Sequence, residues 1–205
     1  MTATAWTPPP VWFVPKEWPG ERCFVICGGE SLKAHAQLVP QLPGRTIAVK
    51  HAALLRPDAD VLFWSGEHAD TLAPPVLKVF RGQHIVVRGK GHPVFPAEAK
   101  RVGRTDRHYE LCDDPTRVSG YDTGTSAINL AYHFGATTIV LIGYDMVGPS
   151  GSPGMKPPSQ ATFDTHMMPL PLIAADAERK GIRIVNVSPI SRVECFERGR
   201  LEDFL

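Results

Sequence analysis

The sequence predicts an α/β fold: a single Rossmann-like, doubly wound and mainly parallel sheet. Three observations carry that expectation. Short apolar runs of β-branched and aromatic residues recur along the 205-residue chain, each bounded by Gly, Pro or charged residues. Stretches of helical spacing lie between several of these runs, the order that makes parallel βαβ units. The runs also end in small or polar residues, as strands do where loops gather at the carboxyl edge of such a sheet.

Taken in order, residues 1–21 read as an irregular arm containing Pro and Trp, laid over the domain through Trp12, Phe13 and Trp18. Residues 22–205 read as one domain. Its first strand, Cys23 to Cys27, runs into Gly28-Gly29, and Ser31 opens a helical stretch that stops near Pro40. "RTIAV" is the second strand, and Val61 to Trp64 is a buried third that ends in Ser65, Gly66, Glu67 and His68. "HIVV" (84–87) is the fourth. A helix beginning at about Thr125 sets Ala127, Leu130, Ala131 and Phe134 on one face, with Gly135 as its terminator. Thr138 to Ile142 is the fifth strand. The stretch 147–169, with Gly, Pro and Ser throughout, reads as irregular, and a loop of that length in one domain is expected to be a lid or binding loop. A helix closed by Gly181 then precedes a sixth strand, Ile182 to Val187.

Composition narrows the class. Hydrophobic content of 43% and charged content of 21% are ordinary for a soluble domain. No run approaches the roughly 18 apolar residues that read as a membrane span, and the N-terminus shows no signal-peptide pattern. The expected compartment is the cytoplasm. Cys23, Cys27, Cys112 and Cys195 form no Cys-x-x-Cys pair, so buried thiols are expected rather than a metal site. Net charge is +1, but 78–108 carries Lys78, Arg81, Arg88, Lys90, Lys100, Arg101, Arg104 and Arg107 against only Glu98 and Asp106. That excess either contacts phosphates, of a nucleotide or of a polymer such as DNA, or forms a solvated, mobile loop.

The chemistry gathers at two corners. In "SGYDTGTSAINLAYHFGATTIVLIGYDM" (119–146), Asp122, Thr123, Gly124, Thr125 and Ser126 stand at a helix start. The first N–H groups of a helix have no intrahelical acceptor, and the helix dipole adds positive charge there. Small and hydroxyl residues at that point suit a phosphate; the alternative is an N-cap cluster serving only the helix. "CGGESL" makes a second corner of the same kind, with Gly28, Gly29 and Ser31. Ser65, Glu67 and Asp145 close other strands, and in an open α/β sheet all these ends face one crevice. A nucleotide belongs there.

Three segments resemble a known group. "FVICGGESLK" resembles the Gly-Gly-Pro-Ser-Leu opening of a large family of uncharacterised phage and bacterial proteins. "DTGTSAINLAYHFGATTIVLIGYDM" and "IRIVNVSPISRVECF" resemble that family's central turn, helix and strand and its closing Asn-x-Ser-Pro-x-Ser segment. The same order is similar to the small bacterial sialyltransferases, which use CMP-sialic acid on a Rossmann-like domain and need no metal for chemistry. It is also similar to the 6-hydroxymethylpterin diphosphokinase-like family, grouped with motility-accessory glycosylation proteins. This chain departs from the pattern at Glu30, where relatives have Pro, at Lys50, where they often have Asn, and in the 147–169 loop.

The resemblance implies a nucleotide-binding transferase domain over 22–205. The expectation is a glycosyltransferase, phage-encoded, moving a sugar from a nucleotide donor to a hydroxyl of a modified DNA base or a surface glycan. No cofactor is required on this reading. His166, Lys50 and His68 are the catalytic candidates: His166 as base, His68 as second choice, and Lys50 to offset charge on the leaving phosphate. The alternative is a diphosphokinase using ATP and Mg²⁺, for which Glu67, Asp122 and Asp145 are the available acids. A third possibility is a non-catalytic nucleotide-binding phage protein. DNA is a candidate partner through 78–108, and the oligomeric state is left open.

Overall fold

The computed structural model describes residues 7–66, 68–148 and 157–205. Among these, nine strands form one sheet: β1 (Arg22–Ile26), β2 (Arg45–Val49), β3 (Val61–Trp64), β4 (His84–Arg88), β5 (Lys100–Arg104), β6 (Arg117–Val118), β7 (Thr138–Ile142), β8 (Arg183–Asn186) and β9 (Glu197–Arg198). Every pairing is parallel, in the order β6-β5-β4-β3-β2-β1-β7-β8-β9. The order reverses between β1 and β7, which pair from Arg22↔Thr138 to Ile26↔Ile142. That reversal is the topological switch point, where ligands of open α/β sheets bind beyond the strands' carboxyl ends.

The central strands are apolar on both faces because both faces are covered. On one side, α3 (Thr123–Phe134) lays Ala127, Ile128, Leu130 and Phe134 against Val25, Ile47, Val61 and Ile139. The helix α5 (Leu170–Arg179) adds Ile173 and Ala177 to the same core. On the other side, Phe24, Ile26, Val140 and Ile142 meet Leu32, Val39 and Leu42, while Leu62 and Trp64 meet Ala69 and Val76 of the short helices α1 (Ala69–Leu72) and α2 (Pro74–Val79) and Ala73 between them. Pro74 and Pro75 start α2, where a missing N–H does no harm. Cys23 and Cys27 lie buried in the core, and burial drives both thiols well above their usual range.

Three features differ from the sequence expectation. The stretch after β1 is not an α-helix but two 3-10 turns, Glu30–His35 and Val39–Gln41, separated by Ala36, Gln37 and Leu38. The basic region 78–108 holds a second strand, β5, besides the expected β4, so it is not one solvated loop. Its cations differ in setting: Arg101 donates through Nε to Pro9 O (2.6 Å), while exposed Arg81 donates to the carbonyls of Lys78 and Phe80. Finally, part of 147–169 is helical. Ser159 Oγ accepts from Thr162 N (3.2 Å) and caps α4 (Gln160–Met167), while residues 149–156 lie outside the described part.

The N-terminal arm joins the domain unevenly. Trp12 N donates to Arg101 O at 2.6 Å, and Val11 bridges to Arg101 in parallel. Trp18 is fully buried, stacked on Phe134 with centroids 3.9 Å apart, whereas Phe13 stays 66% exposed. A large aromatic filling such a site stabilises the fold by a few kcal/mol. Trp18→Ala is therefore expected to lower unfolding free energy by about 3–5 kcal/mol in urea titrations, and Phe13→Ala to leave it nearly unchanged.

Candidate functional site

Beyond the switch point, the exits of β1 and β7 lie against each other. Cys27 N donates to Ile142 O (2.7 Å) and Gly29 N to Gly143 O (2.9 Å). No side chain fits between them: a Cβ on Gly29 would stand 2.4 Å from Gly143 O and 2.5 Å from Asp145 Oδ2. Asp145 is buried, and its carboxylate accepts from Ser31 N (2.8 Å) and from Ser31 Oγ. It thereby caps the first 3-10 turn and ties β7 to the chain leaving β1. Both carboxylate oxygens are used in the fold.

Tyr144, between Gly143 and Asp145, is held from its other side. Ser188 Oγ accepts from Tyr144 N (2.8 Å), while Asn186 Nδ2 (3.1 Å) and Ser191 Oγ (2.7 Å) both donate to Tyr144 O. The Asn-x-Ser-Pro-x-Ser segment thus acts as a brace. The Tyr144 hydroxyl reaches Thr125 Oγ1 (2.7 Å) and Asp122 Oδ2 (3.3 Å). Burial, with Asp122 beside it, raises that phenol well above its ordinary range, so it remains a neutral donor.

At the start of α3, Asp122 is the N-cap: Oδ1 accepts from Thr125 N (3.0 Å) and Oδ2 from the Thr125 hydroxyl. Thr125 and Ser126 are fully buried and do not reach the crevice; Ser126 Oγ donates to Ser119 O (2.8 Å). Thr123 Oγ1 pairs with Ser65 Oγ (2.6 Å). Most hydroxyls of this cluster therefore organise the turn. The residues of this helix start that line the crevice are Thr123 and buried Gly124, and the first N–H groups of a helix have no intrahelical acceptor. The cap reading holds for Asp122 and Thr125.

These parts enclose a cleft of about 200 Å³. Gly28 and Gly29 line it from β1, Thr123 and Gly124 from α3, and Lys50 and His51 from the end of β2. Tyr144, Asp145 and Met146 supply the β7 wall, while Phe163 and His166 of α4, with Pro158, close the remaining side. Lys50 and Met146 have positive φ (52° and 55°), an uncommon conformation for side-chain-bearing residues that costs about 1–2 kcal/mol each. Such strain concentrates at functional sites. Burial lowers the Lys50 ammonium below its usual pKa, nearby Arg88 lowers it further, and Asp122 opposes both.

The remaining sequence candidates lie elsewhere. Ser31 and Ser65 are buried behind the wall and bonded as described. His68 is exposed at the cap of α1, with φ of 61°, and does not line the cleft. Glu67 lies outside the described residues. His51 escaped the sequence reading, although "AVKHA" put it at a strand exit beside Lys50. Its ring packs 5.6 Å from that of Trp64, and its buried Nδ1 has no hydrogen-bond partner among the described residues. Among those residues no cluster of three His, Cys, Asp or Glu stands ready for a metal ion. Asp122 and Asp145, the two described acids that the Mg²⁺ reading needs, are already bound by N–H and O–H groups. No described helix is long and apolar enough to cross a membrane.

The two adjacent glycines separate architecture from access. A Cβ on Gly28 meets nothing within 4 Å, whereas one on Gly29 collides with Gly143 and Asp145. Gly29→Ala is expected to lose about 1–3 kcal/mol of stability, the usual effect of forcing atoms into a packed site. Gly28→Ala is expected to change stability by less than about 0.5 kcal/mol. Urea unfolding of both variants checks the contrast.

No family model and no curated protein matches the sequence. Solved structures do match in fold. The MAf glycosyltransferase from Magnetospirillum magneticum AMB-1 superposes with a TM-score of 0.63 at 13% identity, over 94% of this chain. This chain spans only 36% of that protein. The sialyltransferase CstII from Campylobacter jejuni, in complex with the substrate analogue CMP-3FNeuAc, gives a TM-score of 0.50 at 14% identity, covering 87% of this chain and 84% of CstII. Its complex with cytidine-5'-monophosphate gives 0.50 at 13% identity. At these identities the likeness is one of fold: a Rossmann-like α/β sheet shared with glycosyltransferases.

Proposed function

We propose that the protein is a nucleotide-sugar-dependent glycosyltransferase whose donor occupies the switch-point cleft. The observation that carries this reading is the meeting of the first turn of α3 at Thr123 and Gly124, an open glycine and a lysine in one small crevice. The N–H groups of Thr123 and Gly124 offer donors to a phosphate, and Gly28 lets it approach the backbone. Lys50 supplies a positive charge at the same place. The fold shared with a sialyltransferase bound to CMP supports a pyrimidine nucleotide as the first donor to test.

On this reading the acceptor hydroxyl attacks the anomeric carbon of the donor sugar. The bond from that carbon to the nucleotide phosphate breaks, and the phosphate leaves with the electron pair. Lys50 and the α3 N-terminus stabilise the charge that develops on it, an effect that grows once water is excluded. His166, on the opposite wall, takes the acceptor proton. Asp122 and Asp145 hold the frame and take no part in proton transfer.

A nucleotide that binds only the folded state raises its stability, by about 2.7 kcal/mol at a hundred times Kd. CMP is expected to raise the melting temperature without Mg²⁺, and Lys50→Ala to weaken CMP affinity at least tenfold, about halving that stabilisation at the same CMP concentration. His166→Ala is expected to keep CMP affinity while abolishing transfer, as for a group acting mainly in the transition state. Stabilisation by ATP with Mg²⁺ alone, and by no pyrimidine nucleotide, would overturn the proposal in favour of diphosphate transfer.

A further inference from the structure

Next to the cleft, along the same carboxyl edge, lies a second group of residues that the transfer chemistry does not use. Arg88 ends β4 and Arg104 ends β5, and the chain leaving β6 passes between them as Ser119, Gly120 and Tyr121. Arg88 Nη1 is anchored on Gly120 O (3.1 Å), Asp122 O (3.5 Å) and Ser126 Oγ. Its Nε and Nη2 take no acceptor from the described residues. Arg104 is exposed, with its guanidinium 5.8 Å from the Tyr121 ring centre and Nη2 3.4 Å from His108 Nε2. The His108 ring lies 4.5 Å from that of Tyr121.

Among the described residues, neither Arg88 nor Arg104 has a carboxylate within ion-pair distance. Burial, and then Arg104, pull the Arg88 guanidinium down to about 10, with Asp122 acting the other way. Burial and the two arginines also lower His108, against Asp106. Like charges converging on a partly buried position are unfavourable unless an anion joins them. The frame is also rigid: Gly120 has a φ of 105°, and a Cβ there would stand 2.6 Å from Thr125 Cβ. A guanidinium fixed at one nitrogen presents its remaining N–H groups in the fork that matches an oxyanion. The rings of Tyr121 and half-exposed Tyr109 add flat apolar faces with polar tips beside it.

We infer that the carboxyl ends of β4, β5 and β6 form a subsite for an acidic sugar, whose carboxylate or phosphate sits between Arg88 and Arg104 while its ring lies along Tyr121. As the position for the acceptor of sugar transfer, it rests on the function proposed above. The subsite selects acceptors by charge, and Arg104 is its specificity-determining residue.

The test uses binding to the intact chain, without donor turnover. Backbone amide NMR titrations with glucose, glucuronate and glucose 6-phosphate follow Gly120 and Tyr121, and a parallel titration with CMP follows Gly28 and Gly124. One acidic sugar is expected to shift Gly120 and Tyr121 with an affinity at least tenfold above that of glucose, and the stronger of the two identifies carboxylate or phosphate. Arg104→Ala, a change at an exposed side chain, is expected to remove that preference while leaving the CMP response intact; Arg104→Lys keeps part of it. Equal binding of glucose and both acids overturns the subsite, as does a preference that survives Arg104→Ala. Acidic-sugar binding at Gly120 with no nucleotide response at Gly28 supports the subsite and overturns the transferase reading instead.

Discussion

The cleft depends on one buried interaction, the grip of the Asp145 carboxylate on the backbone N–H and hydroxyl of Ser31. It joins the exits of two strands that are neighbours in space and more than a hundred residues apart in sequence. A carboxylate accepting two such donors in a dry site binds more strongly than neutral partners would, and losing it strands a buried N–H. Gly29 and Gly143 have no room for side chains because this contact draws the two exits together. It also fixes the β7 end at which Tyr144 is braced by Asn186, Ser188 and Ser191. Tyr144 in turn meets Asp122 and Thr125, so the start of α3 inherits its position from the same clasp.

Charge follows from that frame. Acids at the crevice are consumed by the fold, Asp145 by Ser31 and Asp122 by the α3 cap. The cations are not neutralised in the same way. Arg88 is bound to carbonyl and hydroxyl oxygens, and Lys50 stands in the cleft in a left-handed conformation that its neighbours must enforce. Lys50 and Arg88 thus bring positive charge to the carboxyl edge of the sheet, with the Asp122 carboxylate acting on both from beside them.

The strands β1 to β4, β7 and β8 were legible because a strand buried on both faces must be a run of Val, Ile, Leu, Phe or similar residues. The edge strands were not. "KRVGR" at β5 carries three cations and a glycine, and β6 and β9 are two residues each, so only a parallel neighbour makes them strands. Gly28, Gly29, Asp122, Thr123 and Gly124 could be assigned to one crevice from strand ends and helix starts. The direction of each hydroxyl could not, since Thr125 and Ser126 are distinguished from Thr123 by a helical rotation that leaves no mark in composition. The helix α4 hid within a segment rich in Pro and Ser, although Ser159 and Thr162 carry a cap signal. His51 carries no local signal of its own, since a lone histidine after a strand has no fixed role, and only the fold places it in the cleft beside Lys50.

The central claim is that the switch-point cleft seats a nucleotide phosphate on backbone N–H groups. A crystal structure of the protein with CMP tests it most directly. The phosphate is expected within hydrogen-bond distance of the Thr123 and Gly124 nitrogens, over Gly28 and beside Lys50. A nucleotide bound away from the carboxyl edge of β1 and β7, or in the cleft with its phosphate turned away from α3, would contradict the account.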